Sequence, residues 1–271
     1  MKYHPHLILR TAIAVGLVCT GLSTSAFAQS DEIQVYDGGL ADVGNINLTW
    51  HNNFAPKGAR EPAFQGALIN NRNLNGVTEW AYGVTNWFEA GLYLPLYSLS
   101  AGRGPSINGG KLRALFAVPN ADDRGFFYGA NFEFSFNSHH WDERRYTSEI
   151  RPIIGVHLGA WHLKPIDIIF NPILDNSFYG GFKSLDFAPS TRIAYNINNK
   201  WAVAVEHYAD LGPLRKFYSA SEQSHQIFAV FNRSTSFVDI EAGIGVGVTG
   251  ASDKLALKLL LSKDLHVRKK Q

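Results

Sequence analysis

Eight charged residues of both signs lie among Gly, Ala, Ser and Asn on the polar faces of alternating segments. They are Glu89, Arg113, Glu133, Glu149, Arg151, Arg192, Glu206 and Glu241. A soluble sheet shows water a dense row of Lys, Glu, Thr and Gln, whereas sparse charges among small residues suit a confined interior. There, carboxylates and guanidinium groups can pair. The eight residues are therefore candidates to line the lumen of a barrel.

Histidine clusters are the other candidates for chemistry. His139-His140-Trp141-Asp142 falls in a predicted loop, where adjacent imidazoles can bind a transition metal weakly but are more often solvated. Ser224-His225 and Glu206-His207-Tyr208 fall in predicted strands, where neighbours point to opposite faces and cannot act together. Gly-x-Ser-x-Gly elbows, His-Glu-x-x-His helices and phosphate loops are absent from the sequence. We therefore predict no enzyme, and no catalytic, cofactor-binding or metal site.

The elements that would position these residues alternate with a period of two, which is the pattern of β-strands. About twelve such segments recur and no convincing helix is found. They are residues 45–51, 78–84, 87–96, 111–118, 127–136, 149–158, 166–171, 187–196, 201–208, 223–231, 238–248 and 254–261. Residues 64–70 are a further possible strand. The apolar face suits lipid and the sparsely charged face suits a lumen, which favours a membrane barrel over a soluble one.

The lengths of the connections give an independent indication. Long connections alternate with short ones along the chain, with 249–253 as the exception. The longer ones are 54–73, 97–110, 137–144, 174–185 and 211–222, and the shorter ones are 85–86, 119–124, 159–164, 198–199 and 232–236. Bacterial outer-membrane barrels have short periplasmic turns, longer outer loops and both termini in the periplasm. The sequence thus predicts an all-β, transmembrane, antiparallel up-and-down β-barrel.

The N-terminus has the features of a secretory signal peptide. Lys2 and Arg10 precede an apolar stretch, and Ser25 to Ala28 gives a small-x-small cleavage pattern. Cleavage after Ala28 removes the single Cys and lowers the formal net charge of +2 to about zero, so no disulfide and no nucleic-acid partner are expected. The predicted organisation is a signal peptide (1–28), an N-terminal periplasmic segment (29–43), the barrel (44–262) and a basic periplasmic tail (263–271).

Composition excludes two other classes of protein. The chain has 271 residues, of which 45% are hydrophobic, 18% charged and 13% aromatic. This apolar content argues against disorder. A mean hydropathy of −0.11, with no long apolar run after the N-terminus, argues against a bundle of membrane helices. Aromatic residues that favour membrane interfaces lie near predicted strand ends, namely Trp50, Trp80, Trp87, Trp141 and Trp201.

One hairpin carries a resemblance to a known family. Residues 80–96 contain Tyr82-Gly83, the turn Thr85-Asn86, Glu89-Ala90-Gly91 and Leu94-Pro95. This segment resembles the strand–turn–strand signature of the outer-membrane family associated with phenol-degradation (meta-pathway) operons. The match covers less than a tenth of the chain. The resemblance implies an outer-membrane barrel for uptake of small organic compounds and supplies no functional residues.

Taken together, these patterns predict a cell outer-membrane protein that is a narrow channel for passive uptake of small organic solutes. The expected partners are outer-membrane lipid and lipopolysaccharide, the barrel-assembly machinery and a small-molecule solute. At about twelve strands, side chains could largely fill the lumen. The alternatives are therefore a plugged barrel with a structural or adhesive role, a lipid-modifying barrel enzyme and a soluble periplasmic β-protein.

Overall fold

The computed structural model describes residues 32–159, 165–177 and 184–265, and within these ranges the chain is all-β. The strands are β1 (Ile46–Lys57), β2 (Asn73–Thr85), β3 (Phe88–Ser100), β4 (Gly104–Ala117), β5 (Phe126–Asn137), β6 (Tyr146–Leu158), β7 (Ile166–Asn171), β8 (Leu174–Ser177), β9 (Leu185–Phe187), β10 (Ser190–Asn198), β11 (Trp201–Asp210), β12 (Ser224–Arg233), β13 (Asp239–Gly247) and β14 (Leu255–Leu265). One 3-10 turn covers Ala121–Asp123. In the described ranges, no helix is long and apolar enough to cross a membrane.

The fourteen strands form twelve passes along the barrel wall, because two of the passes are each interrupted and consist of two strands. β6 pairs with β7 along one half and with β8 along the other, so β7 and β8 are two parts of one pass. β9 and β10 likewise pair with β8 and β7. Each interruption contains a proline, Pro172 or Pro189, which has no N–H to donate to the sheet.

The sheet closes on itself. Consecutive passes pair antiparallel, and β1 pairs with β14 from Ile46 opposite Leu265 to Lys57 opposite Leu255. The predicted antiparallel barrel of about twelve strands is confirmed. The end of the ring with Ile46, Leu265 and the tight connections is called the turn end, and the opposite end is called the loop end.

Polarity across the wall is the reverse of that in a soluble barrel. Large apolar side chains point outward and stay exposed, as in Val205 (56%) and Ile193 (53%), whereas Glu206, Asn131 and His51 point inward with 0% exposure. Small inner residues leave room for rings. A Cβ on Gly155 or on Gly245 would overlap the ring of Phe127 or of Phe228. The interior is therefore packed with polar groups and with aromatic and aliphatic side chains.

The N-terminal segment departs from the prediction. Residues 29–43 are predicted to be periplasmic, but within the described part, 32–43, residues 32–42 run inside the barrel. Val35 and Tyr36 pack with Phe127 and other inner-wall residues, and Ile33 packs against Phe228. These side chains bury apolar surface that the periplasm would leave in water, which explains the location.

Several predicted boundaries also shift. Most of the predicted loop 97–110 is strand, because β3 continues to Ser100 and β4 begins at Gly104. Residues 64–70 form no strand. Trp141, predicted at the interface, is only 7% exposed and packs inside with Leu68 and Tyr93. The predicted signal peptide (1–28) and residues 266–271 of the predicted tail lie outside the described residues, and strand β14 extends to Leu265.

Candidate functional site: the charged interior of the barrel

Arg113 is the centre of an ion-pair network on β2, β3 and β4. Its guanidinium contacts both Glu79, at 2.7 Å, and Glu89. Glu79 also lies 2.9 Å from His51 Nε2. Arg113 Nη1 reaches the hydroxyl of Tyr93 at 3.4 Å. The two carboxylates offset the cost of burying this guanidinium, as buried charges require.

A second group links β4, β5 and β6 to the N-terminal segment. Lys111 Nζ lies 3.2 Å from Glu133, which also accepts a hydrogen bond of 3.2 Å from the Tyr36 hydroxyl. Arg151 forms a two-point contact with Glu149, at 2.6 and 3.0 Å. Its guanidinium carbon lies 4.3 Å from the centre of the Tyr36 ring. Tyr36 is therefore held by groups from two neighbouring strands, β5 and β6.

A third network joins β10, β11, β13 and β14 on the far wall. Arg192 contacts Glu206 and lies 3.2 Å from Glu241. Lys258 contacts the same two glutamates, with 2.6 Å to Glu241, and its side chain is fully buried. Asn232 links Arg192 and Glu241 at 2.6 and 2.7 Å. Two cations and two carboxylates thus form a neutral square.

The structure places all eight candidate lumen residues on the inner face and brings them into these three networks. Sequence reasoning did not select five further members, which are Glu32, His51, Glu79, Lys111 and Lys258. The available signal was the alternation itself. Glu79 shares a face with the inward Ala81 and Gly83, and Lys258 alternates with the outward Leu257 and Leu259.

Polar contacts also hold the backbone of the N-terminal segment. The side-chain amide of Asn171 accepts from Tyr36 N at 2.7 Å and donates to Tyr36 O at 3.0 Å, as a neighbouring strand would. Glu89 accepts from Ala41 N at 2.5 Å, and Arg151 donates to Gln34 O at 3.1 Å. These contacts take the place of water at buried peptide groups and hold the segment inside the barrel.

A cavity of about 380 Å³ remains at the turn end. The N-terminal segment forms one side of it, through Asp37 and Asp42, and the wall contributes Glu89, Arg113 and Asp264 among others. This volume is in the range of small-ligand pockets. A polar chamber therefore lies at the turn end, beside the N-terminal segment.

Loops cover the loop end. Leu68 N donates to His140 O at 2.9 Å, which joins the β1–β2 and β5–β6 connections. Asp253, from the β13–β14 connection, accepts from Ala59 N at 2.8 Å and from Asn70, and burial raises the pKa of its carboxyl group. Together with the inward Leu68 and Trp141, these contacts narrow the entrance on this side.

The histidine clusters are not brought together with carboxylates in a catalytic arrangement. His139 lies 6.2 Å from the ring of Phe64. His140 Nε2 is shared between Ser138 Oγ at 3.1 Å and Asn108 Oδ1 at 3.0 Å, and burial and the charge of Arg103 lower its pKa. His207 contacts His225. No group of three or more potential metal ligands occurs among the residues that the structure describes.

The fold and the polarity define the class: a closed antiparallel β-barrel with an apolar outer face and a charged interior. Among solved structures, an outer membrane channel from Pseudomonas putida F1 is similar, with a TM-score of 0.56 and 12% identity, over 86% of this chain and 100% of that one. This likeness concerns the fold.

Two other solved structures are less similar to the chain. The translocator domain of the autotransporter NalP from Neisseria meningitidis has a TM-score of 0.41 and 10% identity, over 83% of this chain and 90% of that one. The outer membrane channel DcaP of Acinetobacter baumannii has 0.33 and 8%, over 86% and 100%. No family profile and no curated protein sequence matches the chain.

Proposed function

We propose that the protein is an outer-membrane channel for passive passage of small organic solutes, inserted with the help of the barrel-assembly machinery. The observation that carries the proposal is the inverted polarity of a closed wall, since a ring with apolar residues outside and ion pairs inside suits lipid around a polar route. The fold shared with the channel from Pseudomonas putida F1 supports this role. The hairpin resemblance to the meta-pathway family supports the solute class.

We infer that the N-terminal segment, which runs inside the barrel, closes this route. Passage therefore requires the segment to leave the middle of the lumen, and solute entering from the loop end would pass the ion-pair networks to reach the 380 Å³ chamber. Since Arg113 and Arg192 each hold two glutamates in those networks, their charges set which solutes pass.

Planar-bilayer conductance tests the channel. We expect the refolded mature protein to give small or infrequent current steps, and a variant lacking residues 29–40 to give larger and more frequent ones. The change Arg113→Ala should alter the ion selectivity of the shortened variant, because it frees the negative charges of Glu79 and Glu89. Heat-modifiable migration on a gel verifies that each variant is folded. A folded shortened variant that remains silent would contradict the channel.

The filled interior favours a second function, a plugged barrel with a structural or adhesive role. The same experiment separates the two, because a structural barrel needs no route and should stay silent after the segment is removed. If the barrel has an adhesive role, its outer loops should be needed for the cells to adhere to a surface. We test this second function by measuring adhesion of cells that carry the barrel with and without residues 211–223.

A further inference from the structure

Two histidines form an isolated pair on the outer face of the barrel. His207 on β11 and His225 on β12 have parallel rings, 7° apart, with centres separated by 5.3 Å. His207 shares its face with Val205 and His225 shares its face with Ile227, which are 56% and 41% exposed. The pair lies one step further toward the loop end than these apolar residues. It is thus at the edge of the apolar band.

Hydrogen bonds fix the protons of the pair. Gln223 Nε2 donates to Tyr218 O at 2.9 Å, so its Oε1 is the acceptor and His225 Nε2 is the donor, at 3.2 Å. His225 Nδ1 then carries a lone pair and accepts from His207 Nε2 at 3.0 Å. A neutral imidazole has one N–H, so His207 Nδ1 is left with a lone pair. The chain of donors therefore ends at one basic nitrogen.

This arrangement can take up one proton without losing a contact. A proton on His207 Nδ1 leaves the whole chain of hydrogen bonds intact and makes the pair cationic. A proton on His225 Nδ1, in contrast, would oppose the N–H of His207. Histidine is the side chain that changes charge most readily near neutral pH, and an anion placed beside His207 Nδ1 would favour a proton there. Among the residues that the structure describes, Thr191 and Ile227 pair with His207 across the sheet, and Gln223, Thr249 and Ser252 form hydrogen bonds with His225. These five contacting residues carry no charge.

We propose that the protonated His207–His225 pair binds a phosphate group of lipopolysaccharide in the surrounding leaflet. The inference rests on the proposed outer-membrane location, where the loop end faces outward. Lipid phosphates lie at the border of the apolar band, which is where the pair is found. A phosphate offers the negative charge and the acceptor oxygens that a ring N–H⁺ requires.

Binding of purified diphosphoryl lipid A to the full mature protein in detergent, with a chelator present, tests the proposal. We expect the affinity of the wild type to rise about two- to fivefold from pH 7.5 to pH 5.5, the size of one exposed charge pair. The change His207→Gln removes the basic nitrogen but keeps a donor toward His225, and should abolish the rise. His139→Gln, which removes a loop histidine away from the pair, should keep it.

The outcomes separate the sources of phosphate and the two proposals. A rise that persists with dephosphorylated lipid A, or in His207→Gln, would overturn the assignment, as would a wild type without any rise. If inorganic phosphate at equal concentration competes fully, the site takes free phosphate and the lipid assignment is wrong. If His207→Gln fails the heat-modifiability check, His225→Gln replaces it. The assay needs no current, so a silent barrel would refute the channel and leave this inference testable.

Discussion

At the scale of single residues, the interior is stabilised by cations that each contact two carboxylates. Lys258 is the extreme case, since its fully buried ammonium group lies between Glu206 and Glu241. Removing one member of such a group leaves charge without a partner in a place that water does not reach. The penalty then exceeds the value of the original pair.

We expect Lys258→Met to lower the free energy of unfolding by about 3–5 kcal/mol, because Glu206 and Glu241 would keep one cation, Arg192, between them. Urea unfolding of the detergent-refolded protein, followed by tryptophan fluorescence, measures the change. Lys254→Met is the matched control: Lys254 is an exposed lysine that donates to Thr249 O, and its loss should cost less than about 0.5 kcal/mol. Equal costs for the two variants would show that the square of charges contributes nothing.

At the scale of elements, the N-terminal segment behaves as an internal plug without regular pairing. Its backbone is held by hydrogen bonds from side chains of the wall, chiefly from the amide of Asn171, which bonds both Tyr36 N and Tyr36 O. Around this contact the packing of Val35 and Tyr36 is apolar. Because the segment forms no regular strand pairing with the wall, it is a natural place for local opening.

Asn171→Ala should release the segment, because two hydrogen bonds of Tyr36 lose their partner. The mature chain is predicted to contain no cysteine, so Val35→Cys introduces a single reporter. Labelling of this cysteine by a water-soluble maleimide should be about tenfold faster or more with Asn171→Ala, if each lost bond is worth about 1 kcal/mol. Asn137→Ala, which removes only contacts to Arg144 and Thr147, should leave the rate unchanged. Equal rates in all backgrounds would mean that Asn171 does not hold the plug.

At the scale of the whole molecule, the decisive property is which face of the wall meets lipid. In water, an exposed apolar side chain on a barrel can become arginine at little cost. In a bilayer, arginine near the middle of the apolar band costs about 2–4 kcal/mol. A pair of exposed positions inside and outside this band therefore distinguishes the two environments.

Val205→Arg should reduce stability in lipid vesicles by about 2–4 kcal/mol, whereas Leu214→Arg should cost less than about 0.5 kcal/mol. The two positions are similarly exposed, at 56% and 47%, but Leu214 lies in the β11–β12 loop. Chemical unfolding of the vesicle-inserted proteins measures both. A membrane location would be wrong if the two arginines were tolerated equally well.

The alternation of apolar and polar residues predicted the barrel, because successive residues of a strand face the two sides of the wall and each side has its own environment. It also placed Glu133 and Arg192 on the polar face. The alternation could not show that Tyr36 contacts Asn171. Tyr36 lies in a segment that forms no strand, and Asn171 lies on β7, far along the chain. Lys258 was hidden for another reason: its neighbours are leucines, and a lone lysine there also fits an ordinary strand. Contacts that form only when the barrel closes produce no periodic pattern in the sequence around them.

The seam between β1 and β14 has a consequence for the order of folding. Ile46 pairs with Leu265, so nearly the whole described chain lies within the loop that this contact closes. Loop-closure entropy disfavours such a contact until the intervening hairpins exist, and topologies of this kind fold slowly. The plug immediately precedes β1, and the interior that holds it is complete only once β1 has paired with β14. The plug is therefore expected to dock late in folding. The barrel is therefore expected to fold through an intermediate in which β1 and β14 are not yet paired and water still fills the interior.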